Sequence, residues 1–301
     1  ETIQSIDAIE LEPKVVDAVR TLSGFRESDP LSDPRLNIVF NDARGAMSLT
    51  IKNYDAIVSQ PSHPWSAGAS HLYTREFMQL VRSRLSENGV FLQWMNSHYV
   101  DKKLLRSLGA TMLDSFENVR VYQPHNGLLL FLASQSPLDV EKQIVETGLP
   151  LRRGLRSMRW LGLNTVCDVA ATLAAEHEDL EAFCAGALPL TDNRNPLATG
   201  AGKLATEALL EDAETVFRGV DPLVARTGKP SLMERFKLSP AKVVRALALI
   251  QMRKRARKVA DSIPESVDRL LADGFLAAYG GRAEDSQKFF RAVLKIDPEN
   301  R

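Results

Sequence analysis

Two carboxylates sit where a nucleotide-binding fold would use them. Glu10 closes the apolar run Ile3–Leu11 and is followed by Pro13 (IELEP), and Asp42 follows the apolar run Leu36–Phe40 (FNDARG). In doubly wound sheets an acid after a strand accepts from ribose hydroxyls. Two vicinal hydroxyls need a paired acceptor, and one carboxylate supplies it. An acid at the end of the next strand is able to accept from the exocyclic amine of an adenine. Each has a plainer role as well. Glu10 would serve as an ordinary strand-end acid, and Asp42 as the N-cap of the helix that follows.

The elements around these acids alternate. Ile3–Leu11 reads as a strand. Pro13 suits a first helical turn, and Val15, Val16, Val19 and Leu22 recur at helical spacing. Leu36–Phe40 reads as a short buried strand, residues 42–49 as one or two helical turns, and Tyr54–Val58 as a third strand. Thr74 is a plausible N-cap for a helix with the apolar stripe Phe77, Leu80, Val81 and Leu85. A strand follows over 89–95 and a helix over 101–113. Strands 119–122 and 128–133 are joined by QPHNG, which reads as a hairpin turn. The pattern predicts an α/β sheet, mostly parallel with an antiparallel edge.

After about Ser136 the strand signal fades. Residues 137–186 read as helical, Leu188–Pro196 (LPLTDNRNP) as a loop, and 202 onward as helical with breaks near Pro222, Pro230, Pro240 and Pro264. The expected domains are 1–136 (α/β), 137–200 (helical extension and loop) and 201–301 (helical). Gly274, Ser286, Phe290, Val293 and Pro298 fall at the spacings of a tetratricopeptide-like unit near 268–301. Residues 239–264 suit a degenerate preceding unit. Such a tail would bind a protein partner.

Composition excludes several classes. The chain has 301 residues, with 38 basic and 38 acidic side chains and a net charge of zero. No global electrostatic case for nucleic acid follows. The basic run Arg253, Lys254, Arg255, Arg257 and Lys258 has no interleaved aromatics and reads as a solvated helix face. No apolar run approaches the roughly 20 residues of a membrane helix. Cys167 and Cys184 do not make a disulfide framework or a thiolate metal site. His71, His98, His125 and His177 lack metal-like spacing, and no metal is expected. A reducing compartment is the default. The chain opens on Glu1 without an initiator Met, and the start reads as a cut through something larger.

Read together, IELEPKVVDAVR, DPRLNIVFNDARGAM and YDAIVSQPSHPWSAGASHLYTREFMQLVRSRLSENGVFLQW resemble the spermidine synthase (polyamine aminopropyltransferase) family. The likeness covers about residues 3–135. It is strongest to the long bacterial spermidine-synthase-like members, which carry an N-terminal membrane region and a helical-repeat tail. The resemblance implies a Rossmann-like, methyltransferase-type sheet, here lacking its first strand and Gly-rich turn, followed by an α-helical, partly tetratricopeptide-like region. It implies decarboxylated S-adenosylmethionine as co-substrate, aminopropyl transfer to a polyamine such as putrescine, and release of methylthioadenosine. It also implies a place at the cytoplasmic face, in a parent protein anchored in the membrane.

Position by position, Glu10 matches the ribose-binding acid, and Asp42, with Ala43 beside it, the adenine-contacting acid. The loop after Tyr54–Val58 matches the catalytic Asp-x-x-Asp-Pro stretch. Here Gln60 and His63 occupy the two Asp positions, while Pro64 is retained. Gln60 is able to orient an amine but not to take its proton. An imidazole at His63 is able to act as a base, with a loop hydrogen bond as its plainer role, but it supplies no negative charge to attract a dication. Trp65 and Tyr73 flank the loop as candidate groove residues, with packing as their plainer role. Gln93 ends a strand on the same sheet edge, and Tyr122 is a candidate near the amine site. No role follows for Asp192 and Asn193.

Three readings follow: an aminopropyltransferase expected to be inactive as this fragment, a methyltransferase using S-adenosylmethionine, and a non-catalytic scaffold with a protein-binding tail. Without the first strand, the edges of Ile3–Leu11 and Tyr54–Val58 are expected to lack ladder partners. The segment is expected to begin one strand late and end one or more repeats early.

Overall fold

A computed structural model describes residues 3–25, 29–61, 68–96, 100–148, 162–199 and 213–299. In its N-terminal half, local sequence signals set the element boundaries. Strand β1 (Ile6–Glu10) leads to α1 (Pro13–Thr21). Pro13 is the first helical residue, and the Glu12 side chain accepts from Lys14 N. Strand β2 (Leu36–Phe40) leads to α2 (Ala43–Leu49), capped by Asp42. Then come β3 (Tyr54–Ser59), a 3-10 turn (Ala69–Tyr73), α3 (Arg75–Ser83), β4 (Leu85–Asn96) and α4 (Lys102–Ser115). Asp101 caps α4, accepting from Leu104 N at 2.6 Å. The hairpin is β5 (Asn118–His125) with β6 (Leu128–Ser134).

The strands form two sheets rather than one. β1 and β2 pair in parallel as a two-stranded sheet, and a five-stranded sheet has the order β3-β4-β6-β5-β7. Among the described residues β1 pairs only with β2 and β3 only with β4, so each keeps an open edge. The starts of β1 and β3 are tied by side chains instead. Asp7 accepts from Lys52 Nζ at 2.7 Å, from the Tyr54 hydroxyl at 2.9 Å and from Asn37 Nδ2 at 3.1 Å.

Three features differ from the sequence expectation. First, β6 folds back between β4 and β5, antiparallel to both, so the sheet is not mostly parallel. Second, Leu85 does not extend the α3 stripe. Arg84 ends the helix, and its carbonyl accepts from Tyr54 N at 2.8 Å, so Leu85 opens β4 opposite Tyr54. Third, the segment read as wholly helical contains β7 (Leu173–Ala175), which lines β5 between α6 (Val166–Thr172) and α7 (His177–Cys184), after α5 (Val140–Thr147). Leu-Ala-Ala has little intrinsic strand preference, and pairing with β5 decides the conformation.

Period-two alternation sends the five-stranded sheet into two cores. Phe91, Met95, Val121 and Phe131 face α3, α4 and α7. Tyr122, Leu130 and Leu132 face α6 and the C-terminal helices. Leu190, Leu197 and Phe217 join the first core, so both boundaries drawn at 136 and 200 are crossed by continuous packing.

The remaining helices are α8 (Pro196–Thr199), α9 (Leu232–Phe236), α10 (Pro240–Leu249), α11 (Arg253–Ser262), α12 (Val267–Tyr279) and α13 (Ala283–Ile296). A helix pair forms over each stretch with repeat-like spacing. At Gly274 a Cβ would lie 2.6 Å from the Phe290 ring, so only glycine permits this approach. The basic run is not only a solvated face. Arg255 is buried, donates to Asp221 through Nε at 2.8 Å and Nη2 at 2.9 Å, and donates to the carbonyls of Ala171 and Leu173. Among the described residues no helix is long and apolar enough to cross a membrane.

Candidate active site

Adjacent parallel strands bring the two acids together. Glu10 is in register with Phe40, and Asn41 N donates to the Glu10 carbonyl at 3.1 Å. Glu10 and Asp42 therefore share the carboxyl edge of the β1–β2 sheet, where open α/β folds take ligands. Glu10 Oε1 accepts from Glu12 N at 2.9 Å. Asp42 Oδ2 accepts from Gly45 N at 2.7 Å, so Asp42 does act as the N-cap of α2, with Ala43 as first helical residue. In each carboxylate the second oxygen is not used by these bonds. The pair suits two neutral hydroxyls and an amine, which need acceptors and no countercharge.

A second group gathers at the carboxyl ends of β3 and β4. Ser59 is in register with Gln93, and Gln60 follows Ser59 as an exposed side chain. Gln93 is buried. Its Nε2 donates to the Trp94 carbonyl at 3.1 Å, and its Oε1 is buried with no hydrogen-bond partner among the described residues. The Tyr73 hydroxyl donates to the same Trp94 carbonyl at 3.3 Å. Burial raises the Tyr73 phenol well above its ordinary value, so it stays a neutral donor. Gln93 and Tyr73 thus share the Trp94 carbonyl on the strand beside Ser59. His63 and Trp65 lie outside the described residues.

Tyr122 is not brought to this group. It projects from the opposite sheet face, two strands beyond β4, into the core formed with the C-terminal helices. Its hydroxyl donates to Glu141 Oε1 at 3.1 Å, and burial pushes its phenol far up. Glu141 also pairs with Arg120, which bridges to Glu176 at 3.2 Å. Tyr122 therefore belongs to a buried charge network. Cys167 and Cys184 are both buried free thiols, and burial raises the Cys184 thiol to about 12. Among the described residues no three His, Cys, Asp or Glu side chains are grouped to hold a metal ion.

One residue at this edge had no role from sequence. Asp192 Oδ1 accepts from Arg44 Nη1 at 2.9 Å and Oδ2 from Arg44 Nη2 at 2.6 Å. Its Oδ1 also accepts from the Thr74 hydroxyl at 2.8 Å. Thr74 occupies the N-cap position of α3 without a side-chain cap bond. The Arg44 hydrogen bonds hold the Asp192 carboxyl below the ordinary carboxylate range. Only the TDN stretch itself signalled it in the sequence.

Parallel strand pairs joined through helices, β1 with β2 and β3 with β4, define a Rossmann-type α/β architecture. Residues 1–125 match the family model of the spermine/spermidine synthase domain. A polyamine aminopropyltransferase of Clostridium perfringens is 29% identical over 172 residues, covering 55% of this chain and 56% of that protein. Another from a Synechococcus strain is 32% identical over 92 residues, covering 30% of each chain. A probable spermidine synthase from Corynebacterium glutamicum aligns with a TM-score of 0.43 at 18% identity, over 62% of this chain and 63% of that one. The chain spans about half the length of the curated relatives it matches.

Proposed function

We propose that the α/β part of this protein binds an adenosyl nucleotide, decarboxylated S-adenosylmethionine, and belongs to a transferase that aminopropylates a polyamine. One observation carries the reading: Glu10 and Asp42 share the carboxyl edge of β1–β2 inside the stretch that matches the synthase family. In that role Glu10 accepts from the ribose hydroxyls and Asp42 from the adenine amine. Ala43 lies against the base.

In the reaction the acceptor amine forms an N–C bond to the aminopropyl carbon. The C–S bond breaks, its electron pair returns to the sulfonium sulfur, and methylthioadenosine leaves. The amine proton must pass to a base. Gln60 stands where the family places the first carboxylate and is unable to take that proton. Gln93 and Tyr73 supply neutral hydrogen-bonding groups beside it. Putrescine is therefore not turned over by this fragment as it stands, and the acceptor pocket lacks the charge that favours a dication. His63 is the base in this reading, and Trp65 a groove wall.

The test is product analysis with decarboxylated S-adenosylmethionine and putrescine, on the protein and on its Gln60→Asp/His63→Asp variant. The expected result is no methylthioadenosine from the protein and measurable release from the variant. S-adenosylhomocysteine formed from S-adenosylmethionine, with no methylthioadenosine from either protein, would overturn the reading.

A further inference from the structure

The loop at 188–197 lies outside the stretch that matches the family model, yet it holds both halves of the candidate site. On the nucleotide side, Asp192 takes the Arg44 guanidinium with two bonds. Arg44 is in the first turn of α2, two residues after Asp42. On the acceptor side, the same carboxylate takes the Thr74 hydroxyl, and Glu76 Oε2 accepts from Asp192 N at 3.0 Å. Arg75 N donates to the Leu190 carbonyl at 2.8 Å. Asn195 Nδ2 donates to the Ser70 carbonyl at 2.9 Å, and Asn195 is buried. The 3-10 turn and the start of α3 are therefore pinned at Ser70, Thr74 and Arg75.

We infer that Asp192 is a positioning residue that sets the spacing between the Glu10–Asp42 edge and the segment 69–75. It rests on the adenosyl-binding reading. The geometry is selective. β1 and β3 share no ladder, so backbone pairing does not fix that spacing. A bidentate guanidinium–carboxylate pair fixes orientation as well as distance. The third bond, from the Thr74 hydroxyl at 2.8 Å, ties the start of α3 to the same carboxylate. Asp192 is ionised throughout the neutral range, because the Arg44 bonds hold its carboxyl low.

The experiment compares the full chain with Asp192→Ala, Arg44→Ala, the double variant and the swap Arg44→Asp/Asp192→Arg. Affinity for methylthioadenosine is read by calorimetry, and amide exchange is read over 43–49, 69–75 and, as a distant control, 267–296. In Asp192→Ala, affinity is expected to fall about tenfold, with exchange rising at 43–49 and 69–75 and unchanged at 267–296. The double variant is no worse than Asp192→Ala, and the swap recovers at least half of the affinity lost in Arg44→Ala. Unchanged affinity in Asp192→Ala, or faster exchange at one of the two segments only, overturns the inference. If the unmodified chain does not bind methylthioadenosine, the adenosyl reading fails, while the exchange arm still decides the clamp.

Discussion

Residues 3–61 and the rest of the molecule use the same strand–helix vocabulary but are held together differently. In the first region only Val16 and Met47 are buried apolar side chains, and ten of the sixteen exposed large apolar residues among those described fall there, including Leu11, Phe40 and Val58. What binds it is polar: the Asp7 cluster and the Arg44–Asp192 pair. Beyond residue 68, two apolar cores cover both faces of the five-stranded sheet, and the buried charges are paired. The difference teaches that an amphipathic pattern alone does not deliver burial. The Glu10–Asp42 edge sits on the weakly buried side, where ion pairs rather than packing set its position.

The largest effect that would break this contrast is expected at Arg255. Arg255→Ala leaves the buried Asp221 carboxylate uncompensated, and a loss of about 3–5 kcal/mol is expected in urea unfolding. A change below 1 kcal/mol would show that the second region is not held as described. Next is Gly274→Val, whose Cβ meets the Phe290 ring and whose expected cost is about 1–3 kcal/mol. Thermal melting checks it, and the loss should shrink in a Gly274→Val/Phe290→Leu double variant.

Smaller effects sharpen the first region. Asp7→Asn should cost about 1–2 kcal/mol, because one hydrogen-bonded charge interaction is lost while Lys52 stays half exposed. Exchange should rise at 6–10 and 36–40 and stay flat at 128–134. The pH dependence has a defined sign. Hydrogen bonding, from Lys52 to Asp7 and from Arg44 to Asp192, lowers both carboxyls. Their contribution is full above the unfolded value of about 3.9 and is lost as pH falls through the lower folded values. Below about pH 4, protection corrected for intrinsic rates should fade in 6–10 before it fades in 128–134. Last, Cys184 should stay unreactive to a thiol reagent at pH 8 in the folded protein, since burial holds its thiol near 12.

Local signals made much of the fold legible. Pro13, Asp42 and Asp101 mark helix starts within one turn, and β1, β2 and β3 show as apolar runs. The insertion of β6 beside β4 and the pairing of β7 with β5 depend on partners far along the chain, which periodicity does not report. The site divides the same way. Glu10 and Asp42 were readable because strand, acid and helix are contiguous. Asp192 was not, because its partners Thr74 and Arg44 are 118 and 148 residues away. Tyr122 was assigned to the amine site, but strand parity sends Val121 to one core and Tyr122 to the other. A register shift between Tyr122 and His125 hides that parity in the hairpin.

The most direct test of the central claim is calorimetric titration of methylthioadenosine into the protein and into Glu10→Gln. Equimolar binding is expected, weakened at least tenfold in Glu10→Gln, with the melting temperature of the variant unchanged. No binding, or equal affinity in both proteins, would contradict the assignment of the β1–β2 edge as the adenosyl site.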